Sequence, residues 1–135
     1  MTDLQKKILD VYEQFREICE KHGLRYYAIG GTCIGAIRHH GFIPWDDDMD
    51  VAMPLNDYVS FRAIVKANPL ENYGVFDWEE CEHCKIKHIK FYDKRTTYIE
   101  AGTEEMPDRY TGVFIDIMPI AGITEKTQEQ KKIPE

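Results

Sequence analysis

The chain has 135 residues, of which 43% are hydrophobic and 12% aromatic, and carries a formal net charge of −7. That length suits one domain able to bury a core without staples. The negative charge argues against a broad, sequence-independent grip on nucleic acid, which needs a basic face. A small phosphorylated ligand stays compatible with it, because a bound divalent ion inverts the local field.

Residues 3 to 22 read as a helix, with Leu4, Ile8, Val11, Phe15, Ile18 and His22 in one stripe at steps of three and four. Gly23 stands where a C-cap glycine would. Leu24 to Ile29 reads as a short strand ending at Gly30-Gly31, and Thr32 to His39 resumes a helical pattern. Gly41 to Trp45 is punctuated as a loop. Asp48 to Met53 alternates acidic and apolar residues, a period-two strand signal closed by Pro54. Asn56 to Val65 reads as a further helix. Strands are expected over Tyr73 to Trp78, Lys85 to Tyr92 (half-exposed by its alternation) and Thr96 to Ala101, and a strongly apolar one over Gly112 to Ile120 with Asp116 at its centre. Gly102 to Tyr110 is turn-rich. The expected class is α/β, a mixed sheet flanked by helices. Residues 1–123 form the core, and 124–135 are a polar segment that would begin a second half.

No apolar run reaches the length of a membrane span. Met1 to Lys7 is polar, with no signal-peptide core. A cytoplasmic location is the default expectation, with the four cysteines as thiols or metal ligands rather than disulfides.

The dense feature is Asp46-Asp47-Asp48-Met49-Asp50. Side chains two apart on a strand share a face, so Asp48 and Asp50 would lie side by side, about 7 Å apart. Two such carboxylates repel unless a cation lies between them, and hard oxygen donors suit Mg²⁺ or Mn²⁺. Asp116 is the candidate third ligand: an unpaired acid within Val113 to Met118 would be costly, and a neighbouring strand that brought it beside Asp48 and Asp50 would remove that cost. The plain alternative is a solvated acidic loop, with Asp116 facing water. Gly30-Gly31-Thr32, between strand and helix, would let backbone N–H groups approach a phosphate, with the Thr32 hydroxyl as an added donor. Taken alone, a glycine pair is more often only a tight turn.

Ile29-Gly30-Gly31-Thr32, then Gly35 through Val51, closely resembles the signature of the LicD/fukutin-type family, phosphotransferases of the nucleotidyltransferase superfamily. Gly112 to Pro119 resembles that family's later acidic strand. The resemblance implies a nucleotidyltransferase-like fold. It also implies transfer of phosphocholine from CDP-choline, or of a related phospho-alcohol from a similar donor such as CDP-ribitol, to a hydroxyl of a cell-surface glycan (lipopolysaccharide or teichoic acid), with CMP released. By position, Asp48, Asp50 and Asp116 would be the catalytic and metal-binding acids. Gly30, Gly31 and Thr32 would face the donor phosphates, and Asp46 would stand behind the metal ligands or at the acceptor site. Peripheral membrane association would come through the acceptor. Family members are roughly twice this length, so acceptor-binding elements are expected to lie outside the chain.

Arg38 and Lys90 could add positive charge near the phosphates, although a helix-end role for Arg38 and a solvated strand position for Lys90 are the commoner alternatives. Cys81 and Cys84, with His88, have the spacing of half a zinc site. His39 and His40 read as a surface pair more readily than as a general base. Trp45 and Phe42 could stack on a base or a quaternary ammonium, but such residues more often anchor a loop in the core. Cys19 and Cys33 read as inert core thiols. Two rival functions stay open: a nucleotidyltransferase consuming an NTP, and a nucleotide- or partner-binding domain without turnover.

Overall fold

A computed structural model describes residues 1–77, 88–98 and 112–121. The element order is α1 (Asp3–His22), β1 (Tyr27–Ala28), α2 (Gly30–Arg38), β2 (Asp50–Pro54), α3 (Leu55–Ala67), β3 (Tyr73–Phe76), β4 (Ile89–Asp93) and β5 (Phe114–Ile120). The strands form one mixed sheet in the order β1-β2-β5-β4-β3. β2 and β5 run parallel, and every other pairing is antiparallel.

Helix α1 follows from its stripe. Ile8, Val11, Phe15, Ile18 and Cys19 are buried, while His22, expected in the same stripe, is exposed. Thr2 caps the N-terminus in a capping box with Gln5, and Gly23 closes the C-terminus at φ 66°. Phe61 of α3 meets Phe15 of α1 and Phe91 of β4 edge-on, and Phe15 and Phe91 are tilted to each other, with centroids 5.1 to 6.4 Å apart. All three are fully buried. This aromatic knot locks both long helices onto the sheet, and truncating one of its rings to alanine would cost about 3–5 kcal/mol.

Strand parity follows from the register. Val51, Ile117 and Ile89, with Phe91, Ile115 and Val75, occupy the face under α1 and α3. Asp50, Asp116, Lys90 and Phe76 form a cross-strand row on the other face. Acids and helix-packed core therefore sit on opposite sides of the same strands.

The elements differ from the sequence expectations at their ends. β1 keeps two residues of the six expected. The diglycine is the first turn of α2 rather than a bend before it. β2 begins at Asp50, so Asp48 lies in the preceding loop. Residues 96–98 are not strand, and the remainder of that expected strand lies outside the described residues. β4 is buried along its whole length rather than half-exposed.

Candidate functional site

Asp50 opens β2 and is fixed through its backbone. Its N–H donates to Thr32 Oγ1 at 2.8 Å, and its carbonyl accepts from Ile29 N–H at 3.2 Å. The Thr32 hydroxyl thus serves as an acceptor toward β2, leaving its own proton for another partner. Across the parallel ladder Asp50 stands opposite Asp116, and pairing starts one residue earlier, where Asp116 N–H donates to the Met49 carbonyl at 3.0 Å. Sequence-distant Asp50 and Asp116 are therefore direct neighbours.

The remaining acids arrive from the loop before β2. Asp46, Asp47 and Asp48 bring carboxylate oxygens within 4.8 Å of one another. The Asp48 carboxyl is pushed up to about 7 by burial, by a hydrogen bond with Asp46 and by the charges of Asp50, Asp46 and Asp47. Asp50 is pushed up to about 6 by burial and by the charge and hydrogen bond of Asp116. Crowded carboxyls hold protons to relieve their mutual repulsion. A divalent cation offers the charge those protons supply, and an all-oxygen donor set is what Mg²⁺ or Mn²⁺ prefers. The residues present fit such an ion.

Asp116 behaves differently. Burial works to raise its carboxyl, but the hydrogen bond from His88 and the charge of Lys90 outweigh it and hold the group below the ordinary range. His88 Nε2 lies 2.6 Å and Lys90 Nζ 2.8 Å from the same oxygen, Oδ1. An ionised carboxylate only accepts, so Nε2 carries the proton and donates. Lys90 is 3% exposed, and its ammonium lies 3.4 Å from the centroid of the Phe114 ring. Lys90 is thus no solvated strand residue: β3 and β5 flank β4, and its amino group is engaged with Asp116 rather than reaching outward. Of the expected zinc set, His88 faces Asp116, while Cys81 and Cys84 lie outside the described residues.

Gly30 and Gly31 begin α2. Gly30 has φ 55°, a conformation that favours glycine. At Gly31 an added Cβ would come within 2.8 Å of Asp46 Oδ2. The helix start and the acidic loop therefore touch, and the N-terminal amides of α2 lie beside the carboxylates. Arg38 is at the opposite end of α2, about 12 Å away by helical rise, and its side chain is exposed.

The loop itself is held by a residue that gave no functional signal. Gln5 is 2% exposed, and its Nε2 reaches the carbonyls of Asp46 at 2.7 Å and of Ile43 and Pro44 at 3.3 Å. The sequence Thr2-x-x-Gln5 announces a capping box, but the long-range half of the bonding was invisible. Beneath the loop lies a cavity of about 770 Å³ whose walls include Leu9, Tyr12, Tyr26, Phe42 and Met49; it reaches Gly31, Thr32 and Asp46. Phe42 packs against the core as expected. Trp45 does not, being 81% exposed with only its edge toward His39. His39 and His40 are exposed. Cys19 is buried and its thiol pushed up to about 12, chiefly by that burial, whereas Cys33 is half-buried.

A mixed sheet with an acidic row on one face, beside a helix that starts on glycines, defines a nucleotidyltransferase-type α/β domain. The chain belongs to the LicD/FKTN/FKRP family, whose nucleotidyltransferase domain is matched by residues 23–131. It is 33% identical over 127 residues to the lipopolysaccharide cholinephosphotransferase LicD of Haemophilus influenzae, covering 91% of this chain and 45% of that protein. It is 26% identical over 85 residues to the human and mouse ribitol 5-phosphate transferase FKRP, covering 62% of this chain and 17% of those. An uncharacterized protein of Rickettsia typhi is 32% identical over 91 residues, 65% of this chain and 26% of its own. The chain spans less than half the length of each of these relatives. Phosphotransferases are thus the chain's relatives. Among the described residues no helix is long and apolar enough to cross a membrane.

Proposed function

We propose that this domain transfers a phospho-alcohol, phosphocholine or a close analogue, from a CDP-linked donor to a hydroxyl of a cell-surface glycan, with Mg²⁺ or Mn²⁺ as cofactor. The observation that carries the reading is the in-register pair Asp50–Asp116 beside the converging carboxylates of Asp46, Asp47 and Asp48. Asp48, Asp50 and Asp116 would hold the ion, with Asp46 bracing them from the α2 side. When bound, the ion supplies charge neutralisation for a donor diphosphate.

The chain's own groups account for the rest. The amides at the start of α2, from Gly30 to Thr32, face the donor phosphates. The acceptor oxygen attacks the phosphorus of the transferred group as the bond to the CMP oxygen breaks, and CMP leaves in line. One carboxylate of the cluster takes the hydroxyl proton. Arg38 fits the phosphate subsite least well, from the far end of its helix.

The test combines purified chain, Mn²⁺, and CDP-choline, CDP-ribitol or ATP in turn, following thermal stabilisation and released product. A CDP-linked donor should stabilise the chain only when metal is present, and Asp50→Ala should weaken that effect at least tenfold. CMP as product supports the transfer reaction. Pyrophosphate from ATP would instead establish an NTP-consuming nucleotidyltransferase. Donor binding unchanged by Asp50→Ala would sink the site.

A further inference from the structure

We infer that Lys90 is a built-in cation standing where a second metal ion would otherwise bind Asp116, so that the Asp116 end of the acidic centre is restricted to one divalent ion. The inference rests on the metal-binding reading above and goes beyond it, since that reading leaves the number of ions open.

The argument begins with register. Asp50, Asp116 and Lys90 are direct cross-strand partners on β2, β5 and β4, so their side chains leave the same face of the sheet in a row. Asp116 is the middle member, with an anion on one side and a cation on the other. Two-ion centres hold their ions about 3.5–4 Å apart, close enough for one carboxylate to serve both. Asp116 has the central position for that task, yet its Oδ1 already receives two donors, Lys90 Nζ at 2.8 Å and His88 Nε2 at 2.6 Å. Neither contact uses Oδ2. Oδ1 is thus committed to nitrogen, while Asp50, the partner of Asp116 across the parallel ladder, stands on the other side.

The ammonium is also fitted to its place. Lys90 is 3% exposed, and its Nζ sits over the Phe114 ring at 3.4 Å. The ring face attracts the cation without lending it a negative charge that would compete with Asp116. A buried amino group with a carboxylate and an aromatic face around it lies 2.8 Å from the acid, at hydrogen-bond distance. Unlike an ion, it cannot exchange with solvent. Lys90 thus acts as a positioning residue: it holds Asp116 in one orientation.

The experiment measures Mn²⁺ stoichiometry and affinity by calorimetry and by electron spin resonance of free Mn²⁺, on the full chain and on Lys90→Met and Lys90→Gln. The expected result is that loss of the ammonium lowers the metal-free melting temperature, while the variants bind one more Mn²⁺ per chain than wild type and regain stability as it binds. An unchanged Mn²⁺ count in variants that fold would overturn the inference while leaving the metal-binding reading intact. Variants that fold neither without nor with Mn²⁺ would overturn it as well, because a divalent ion would then be unable to replace the ammonium. Absence of Mn²⁺ binding by the wild-type chain would remove the metal-binding reading and this inference together.

Discussion

At Gly31 the missing side chain has a measurable meaning. A Cβ there would lie 2.8 Å from Asp46 Oδ2, which is the movable end of a side chain rather than backbone. In Gly31→Ala the carboxylate can swing away, so the fold has little to lose. Alanine is also the better helix former, by up to about 1 kcal/mol in a helix interior. The melting temperature of Gly31→Ala should accordingly hold or rise slightly while Mn²⁺ affinity falls several-fold, because Asp46 has left its place beside Asp48. A mutant that loses stability and metal binding in proportion would mean that Gly31 serves packing alone. Thr32, the next residue, shows the limit of reading a motif by type. Its hydroxyl was expected only as a donor to phosphate; its oxygen also accepts the Asp50 N–H, tying the start of α2 to the start of β2, with its proton still available to a phosphate.

Between elements, the brace from α1 to the acidic loop does comparable work. Gln5 sits in the first turn of α1, yet its amide spans the carbonyls of residues 43, 44 and 46. Gln5→Leu strips those carbonyls of a buried donor, at about 1–3 kcal/mol, and releases the segment that positions Asp46. Urea unfolding should register the loss, and Mn²⁺ affinity should fall with it. Thr2→Ala, which removes the cap at about 1 kcal/mol but keeps the amide, should lower stability and spare the metal. Equal effects of both variants on Mn²⁺ would refute the brace. Local patterns were legible where local physics decides. The α1 stripe, its C-cap glycine and the apolar run around Asp116 all follow from spacing, and of the expected position of Asp116 beside Asp48 and Asp50 the pairing with Asp50 is seen in the register. Burial of Lys90 was not legible, because its alternation is that of an edge strand and only pairing with β3 and β5 makes β4 interior. Asp48 was expected on a strand for the same reason that Gln5 was overlooked: the boundary of β2 is set by Thr32, Met49 and Asp116, contacts no short window contains.

At the scale of the molecule, the acids make stability depend on pH in an unusual direction. Asp48 and Asp50 have folded values of about 7 and about 6, well above the ordinary carboxylate value. The folded chain therefore binds more protons than the unfolded chain between roughly pH 4 and 7. Stability at these two sites is fully present below that window and is lost as pH rises through it, since stability rises with pH only where the unfolded state holds more protons. Asp116 runs the other way: its lowered value contributes stability above the ordinary carboxylate range, lost only as pH falls through its folded value. Metal binding reverses the balance, because the ion needs the deprotonated forms. Without metal, the melting temperature should decline from pH 5 to 7.5. With saturating Mn²⁺ the decline should vanish or invert, and Mn²⁺ affinity should climb across the same interval. The double variant Asp48→Asn/Asp50→Asn should flatten both trends, which assigns them to these two carboxyls. A metal-free profile that rises through pH 6, or one that the double variant leaves unaltered, would show that the carboxylates are solvated independently rather than crowded into one centre awaiting a cation.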